Sequence, residues 1–115
     1  MSISKLNSNK SFLEIMNVFS SIEEAISRST AEEFQTDKSS SLSGGSISRS
    51  QCITGKDGRK FFSKENELAF SVFFETEAIA LRQIEDTHTI RVPKVISVGK
   101  TSSESFLVLE FIEEG

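Results

Sequence analysis

Apolar residues recur at helical spacing early in the chain: Phe12, Ile15, Met16, Phe19, Ile22 and Ile26 make one stripe. Ser11 followed by Glu14 has the capping-box spacing, in which the hydroxyl accepts from a first-turn amide and the carboxylate reaches back. The pattern predicts an N-terminal helix within residues 1–30 that fades near Ser29 or Thr30 and packs through its stripe. From Ala31 to Gly45 the chain turns polar, with Ser39-Ser40-Ser41 at its centre, yet Phe34 and Leu42 interrupt it and a glycine pair follows. A linker and a weak strand entering a glycine turn both fit; the reading adopted is an edge strand.

Two strands and a tight turn come next. Ile47–Thr54 and Arg59–Lys64 flank Gly55-Lys56-Asp57-Gly58, residues that tolerate positive φ, which is a hairpin signal. Alternation in the second strand puts Phe62 and Lys64 on one face and Phe61 and Ser63 on the other, so a lysine shares a face with a core-sized ring. Glu67–Glu85 predicts a long helix with a broad apolar face: Leu68, Val72, Phe73, Thr76, Ile79, Ala80 and Ile84. Glu75 and Glu77 sit near its middle and point about 200° apart around the axis, so only one faces inward. Glu77 has Phe73, Ala80, Leu81 and Ile84 at helical neighbour spacings and is the inward choice.

Val92–Gly99 reads as a strand with Pro93 at its entrance, where no ladder donor is needed. After a polar turn, Ser105–Ile112 is continuously apolar, so both of its faces should be covered. The element order predicts an α+β domain: an antiparallel sheet of about five strands, one long packed helix and an N-terminal helix. At 115 residues there is chain for one small domain.

Composition trims the function classes. Hydrophobic residues make up 37% and charged residues 26%, with a net charge of −4, which is ordinary globular composition without the clustered Lys and Arg of a nucleic-acid surface. One cysteine, Cys52, excludes an internal disulfide framework and fits a reducing compartment. No run reaches the length of a membrane span, and Met1–Lys10 lacks a hydrophobic signal core, so neither membrane nor export is expected and the cytoplasm is.

Three features fall in order: the Gly44-Gly45 turn between strands, Lys64 ending the next strand, and inward Glu77 on the following helix. Glycine-turn amides approach phosphate oxygens with no Cβ in the way, a neighbouring lysine supplies positive charge, and a helix carboxylate holds that lysine in place. Each feature alone is ordinary: a plain turn, a solvated charge, a surface glutamate. Their order suits the phosphate-handling half of a kinase-like fold and also a plain sheet-and-helix domain.

Several blocks then carry a resemblance. Gly44-Gly45-Ser46-Ile47-Ser48, Asp57 to Asn66 with its Phe61-Phe62-Ser63-Lys64, Phe74 to Leu81, Ile90 to Gly99 with Val92-Pro93-Lys94-Val95, and Ser105 to Ile112 stand in the order and spacing of the fructosamine/ketosamine-3-kinase family. The chain resembles the amino-terminal lobe of that family, within the aminoglycoside-phosphotransferase and protein-kinase-like group. The resemblance implies that Gly44, Gly45, Ser46 and Ile47 cover the nucleotide, that Lys64 contacts ATP phosphates, and that Glu77 is its helix partner. It implies that Leu109 backs the adenine pocket, while the Glu110 carbonyl and the Ile112 amide meet the adenine edge in a hinge that begins at 113–115. Glu75 is the competing partner for Lys64, disfavoured by the packing argument.

The implied activity is ATP-dependent phosphorylation of the sugar part of a ketosamine, a deglycation or repair reaction, with Mg²⁺ ligands and substrate-selecting residues in a second lobe. No His-Gly-Asp-type catalytic loop is present, so the chain reads as an amino-terminal lobe alone, from a longer gene or a truncated one, and inactive by itself. Ser46 stands where the family often has cysteine, so no redox role carries over; Cys52 reads as a small buried apolar residue and His88 as a solvated loop residue. The rival readings are a kinase for an aminoglycoside, choline or homoserine-like alcohol, and a non-catalytic fragment.

Overall fold

The computed structural model describes residues 17–42 and 47–113. In chain order these form α1 (Ile22–Thr30), β1 (Thr36–Ser41), β2 (Arg49–Gly55), β3 (Lys60–Asn66), a 3₁₀ turn (Leu68–Phe70), α2 (Ser71–Thr87), β4 (Val95–Lys100) and β5 (Ser105–Glu110). The strands make one antiparallel sheet in the order β1-β2-β3-β5-β4, which is the predicted α+β arrangement.

Among the described residues the predicted first helix is present over Ile22–Thr30, and residues 17–21 are not helical. Phe12, Ile15, Met16 and the Ser11/Glu14 box lie outside the described residues. Helix α1 starts at Ile22, capped by Ser21, whose Oγ accepts from Glu24 N–H at 3.1 Å. Glu24 reaches back to Ser20 N–H at 2.7 Å. Ser21 and Glu24 have the capping-box spacing, with the carboxylate bonding the N–H of Ser20, one residue before the cap. Just before it, Asn17 takes positive φ, and residues 17–19 are stitched to the end of β4: Lys100 N–H donates to Asn17 O at 2.9 Å and Phe19 N–H to Lys100 O at 2.8 Å. Phe19 still joins the core, from an extended segment instead of a helix.

The sheet carries an apolar layer on each face. On one, Phe61, Phe106 and Val108 pack with Ile53, Phe34 and the α1 residues Ala25 and Ile26. On the other, Leu107 and Leu109 pack with Phe74 and Ala78 of α2, joined by Phe62, Phe70, Leu81, Val95 and Val98. Strand β5 feeds both layers through alternate residues, which is why its sequence is continuously apolar. Val92, Pro93 and Lys94, expected in the fourth strand, precede it, and Phe111 and Ile112 follow β5 instead of extending it.

Helix α2 is rotated from its predicted setting. Its buried residues are Phe74 and Ala78, with Leu81 half-buried, while Phe73 is 64% exposed and Ile79 55%. Apolar residues occupy nearly the whole circumference, so periodicity did not single out the face that meets the sheet. At the hairpin, Gly55 N–H bonds Arg59 O at 2.8 Å and Gly58 adopts φ +90, where any Cβ would be strained.

Candidate functional site

Strand β3 runs through the middle of the sheet, with Phe61, Ser63 and Glu65 on the α1 side and Phe62 and Lys64 on the α2 side. Lys64 is paired across strands with Ser50 and Leu107, which fixes its backbone on both sides. Its Nζ meets Glu77 Oε2 at 2.7 Å. The rotation of α2 carries Glu77 to the edge of its buried face, one position before Ala78, so the expected partner is correct although its expected neighbours Phe73 and Ala80 are exposed. Glu75 is exposed.

Lys64 lines a cleft of about 660 Å³. Leu109 forms part of its wall, and Glu110 and Ile112 line it where the chain leaves β5. Leu42 also lines it. Four of the expected residues, Lys64, Leu109, Glu110 and Ile112, thus share one concave surface, with Glu77 bonded to the first of them. Gly44, Gly45 and Ser46 lie outside the described residues, and Ile47 is 82% exposed and does not line the cleft.

Phe62, Pro93 and Phe111 also line the cleft and escaped the sequence reading. Phe62 carries a signal, since it shares a face with Lys64; the sequence pattern gives Pro93 as a strand entrance and Phe111 as buried strand. Cys52 sits opposite Phe62 in the β2–β3 register and is half-buried, less enclosed than expected. His88 is an exposed left-handed cap of α2, as expected of a loop residue.

Chemically, the cleft offers apolar walls, the Lys64 cation, the acidic residues Glu110 and Glu113 and chain-edge groups after β5, a layout that can take a flat apolar ring system with a charged substituent. The opposite face of the sheet carries a separate polar network. Buried Glu65 accepts from Gln51 at 2.7 Å, Ser63 at 3.0 Å and Arg49 at 3.3 Å, while Arg49 also pairs with Glu104. Hydrogen bonds to Glu104, then Glu65, push the Arg49 pKa up, and the same contacts tie the first residue of β2 to β3 and to the segment before β5. Among the described residues no cluster of three or more His, Cys, Asp or Glu is placed to hold a metal ion. No helix among them is long and apolar enough to cross a membrane.

A profile of the fructosamine kinase family matches residues 18–115. The chain belongs to the fructosamine kinase family. Its relatives include a "Probable ketoamine kinase" of Synechocystis sp., 36% identical over 82% of this chain and 32% of that protein. Another is a "Protein-ribulosamine 3-kinase, chloroplastic" of Oryza sativa subsp. japonica, 42% identical over 66% of this chain and 22% of that protein. The same architecture occurs in the crystal structure of a Haemophilus somnus 129PT protein assigned as a fructosamine-3-kinase, with a TM-score of 0.78 at 24% identity, covering 90% of this chain and 35% of that one. This fructosamine kinase family chain therefore spans about a third of the Synechocystis relative's length. The named relatives carry kinase names, as does the family whose profile matches.

Proposed function

We propose that this chain is the nucleotide-binding lobe of an ATP-dependent kinase that phosphorylates the sugar moiety of ketosamines, in a deglycation role. The supporting observation is the Lys64–Glu77 pair at a largely apolar cleft that Lys64 lines together with Leu109, Glu110 and Ile112. Glu77 holds the ammonium toward the cleft, and Lys64 then neutralises phosphate charge, with catalysis resting on positioning and electrostatics. Leu109, Phe62 and Leu42 sandwich the base, while the Glu110 carbonyl and Ile112 amide meet its edge. Gly44, Gly45, Ser46 and Ile47 are proposed to cover the phosphates. ATP supplies the phosphoryl group. Mg²⁺ does not fit the described residues, since no acidic cluster among them is placed to seat it.

The choice of a ketosamine over an aminoglycoside or choline rests on the names of the relatives. We propose residues 1–115 as a single lobe, with acceptor and metal sites in a second lobe. One wall alone holds a ligand weakly, so the chain should bind ATP no more tightly than millimolar and transfer no phosphoryl group. NMR titration of the ¹⁵N-labelled chain with ATP tests this. Shifts should centre on Lys64 and Leu109–Ile112, and Lys64→Ala should remove the phosphate-dependent part. No shifts at these residues at millimolar ATP would defeat the nucleotide reading. Micromolar affinity, or ketosamine-dependent ATP consumption by the chain itself, would defeat the need for a second lobe.

A further inference from the structure

The point where β5 ends is gripped by side chains from both flanks. The Glu110 carboxylate accepts twice: from Arg91 Nη2 at 3.1 Å and from the Lys94 backbone N–H at 3.2 Å. The backbone of the same residue is tied to the same segment, since Glu110 N–H donates to Lys94 O at 2.8 Å. Lys94 Nζ lies 3.9 Å from Glu85 of α2, the helix that carries Glu77. From the opposite side Lys60 of β3 lies 3.8 Å from the Glu113 carboxylate and 5.9 Å from the centre of the Phe111 ring. Pro93, inside the gripped segment, lines the cleft and has its φ fixed by its ring.

These contacts have little to do with holding the fold. Arg91 is 68% exposed and the Glu110 side chain 38%, and exposed ion pairs add little stability. Their effect is on geometry. Residues 111–113 follow β5, beyond its last ladder pair Phe61–Glu110, and a segment left loose must be ordered by whatever binds it. Fixing it in advance transfers that cost from binding to folding.

We infer that Glu110 and Arg91 are positioning residues for the base end of the cleft. The Glu110 carboxylate locks residues 91–94 against the chain leaving β5, so that the edge groups of Glu110 and Ile112 keep one arrangement. The role is distinct from that of the Glu110 carbonyl, since it belongs to the side chain and acts through Arg91 and Lys94. It rests on the nucleotide reading above.

The test separates the two ends of the cleft in the intact chain, with adenosine as probe of the base end and tripolyphosphate as probe of Lys64. Glu110→Ala should speed hydrogen exchange at the Lys94 and Glu110 amides and weaken adenosine binding by about fivefold to tenfold, as expected for lost preorganisation. Tripolyphosphate binding and the melting temperature should hold. Glu110→Gln keeps an acceptor for Lys94 N–H and should recover most of the adenosine affinity, and Arg91→Ala should weaken it by about twofold to threefold. Unchanged exchange in Glu110→Ala would overturn the clamp. Faster exchange with unchanged adenosine affinity, or equal loss for adenosine and tripolyphosphate, would overturn the positioning role. A wild-type chain that binds neither probe overturns the nucleotide reading and the role with it, and is distinguished by appearing before any substitution is made.

Discussion

The Lys64 ammonium and the Glu77 carboxylate lie 2.7 Å apart, linking the central strand β3 to the helix packed on it. The side chains are 26% and 36% exposed, so the pair is neither a buried charge nor a free surface contact. Solvent screening keeps its stability worth within about 1 kcal/mol. Lys64→Ala and Glu77→Ala should therefore unfold in urea near the wild-type midpoint. Tripolyphosphate affinity should fall severalfold in Glu77→Ala, because the ammonium loses its anchor, and stay level in Glu75→Ala. A larger loss in Glu75→Ala would reverse the assignment of the partner.

Packing of α2 gives a sharper contrast. Phe74 is 1% exposed and packs edge-on to Phe70 with ring centres 5.0 Å apart. Truncating it to alanine should cost about 3–5 kcal/mol through lost burial and a cavity. Ile79→Lys, on the outward face, should stay within about 0.5 kcal/mol. Denaturant unfolding of both variants checks the rotation of the helix, and the reverse order would mean that Ile79 faces the sheet.

Gly99 admits no side chain. A Cβ there would meet Asn17 O at 2.5 Å and the Phe19 ring at 3.1 Å. Backbone cannot yield as a flexible side chain does, so Gly99→Ala should detach residues 17–19 from β4 and lower the melting temperature. Gly58 has open space but φ +90, so Gly58→Ala should cost about 1 kcal/mol from conformation alone. Exchange at the Phe19 and Lys100 amides distinguishes the two: Gly99→Ala accelerates it and Gly58→Ala leaves it unchanged.

Acid should loosen the α1 face. The backbone N–H of Thr36 bonds Glu23 Oε2 at 2.7 Å, and chiefly this bond holds the Glu23 carboxyl below its ordinary 4.5. Ser20 N–H acts likewise on Glu24. A carboxyl depressed in the folded state stabilises above its unfolded pKa and loses that contribution as pH falls through the folded value. The melting temperature should be flat above about pH 5 and drop below about pH 4. Glu23→Gln should reduce the drop; an identical acid slope in that variant would show that Glu23 does not carry it.

The strands were legible because their signals were local. Alternation gave both faces of β3, Gly55 to Gly58 gave the turn, and the unbroken run of β5 announced two covered faces. The faces of the helices were not legible in the same way. Apolar residues surround α2, and the choice among them was made by shape against Leu107 and Leu109, residues distant in sequence. Within the stripe, residues 17–21 are not helical, and Phe19 is apolar for a reason other than helix packing: it tucks against Phe106 from an extended segment. Of the site, Lys64, Glu77, Leu109, Glu110 and Ile112 were named from order and resemblance. The Arg91–Glu110–Lys94 contacts were not, since charges spaced this far apart in sequence give no sign that they meet.

The β3–β5 pairing differs from the rest of the sheet in one respect: it joins Asn66 to Ser105 and Phe61 to Glu110, across the whole of α2 and β4. The other ladders link strands adjacent in sequence. Loop closure makes such a pairing late, after the local hairpins have formed. The cleft straddles this seam, taking Phe62 and Lys64 from one side and Leu109 to Ile112 from the other. Refolding chains should accordingly acquire protection in β2–β3 and β4–β5 before any competence to bind. A ligand of the cleft should slow unfolding and leave the folding rate unchanged, because the transition state precedes the surface it would recognise.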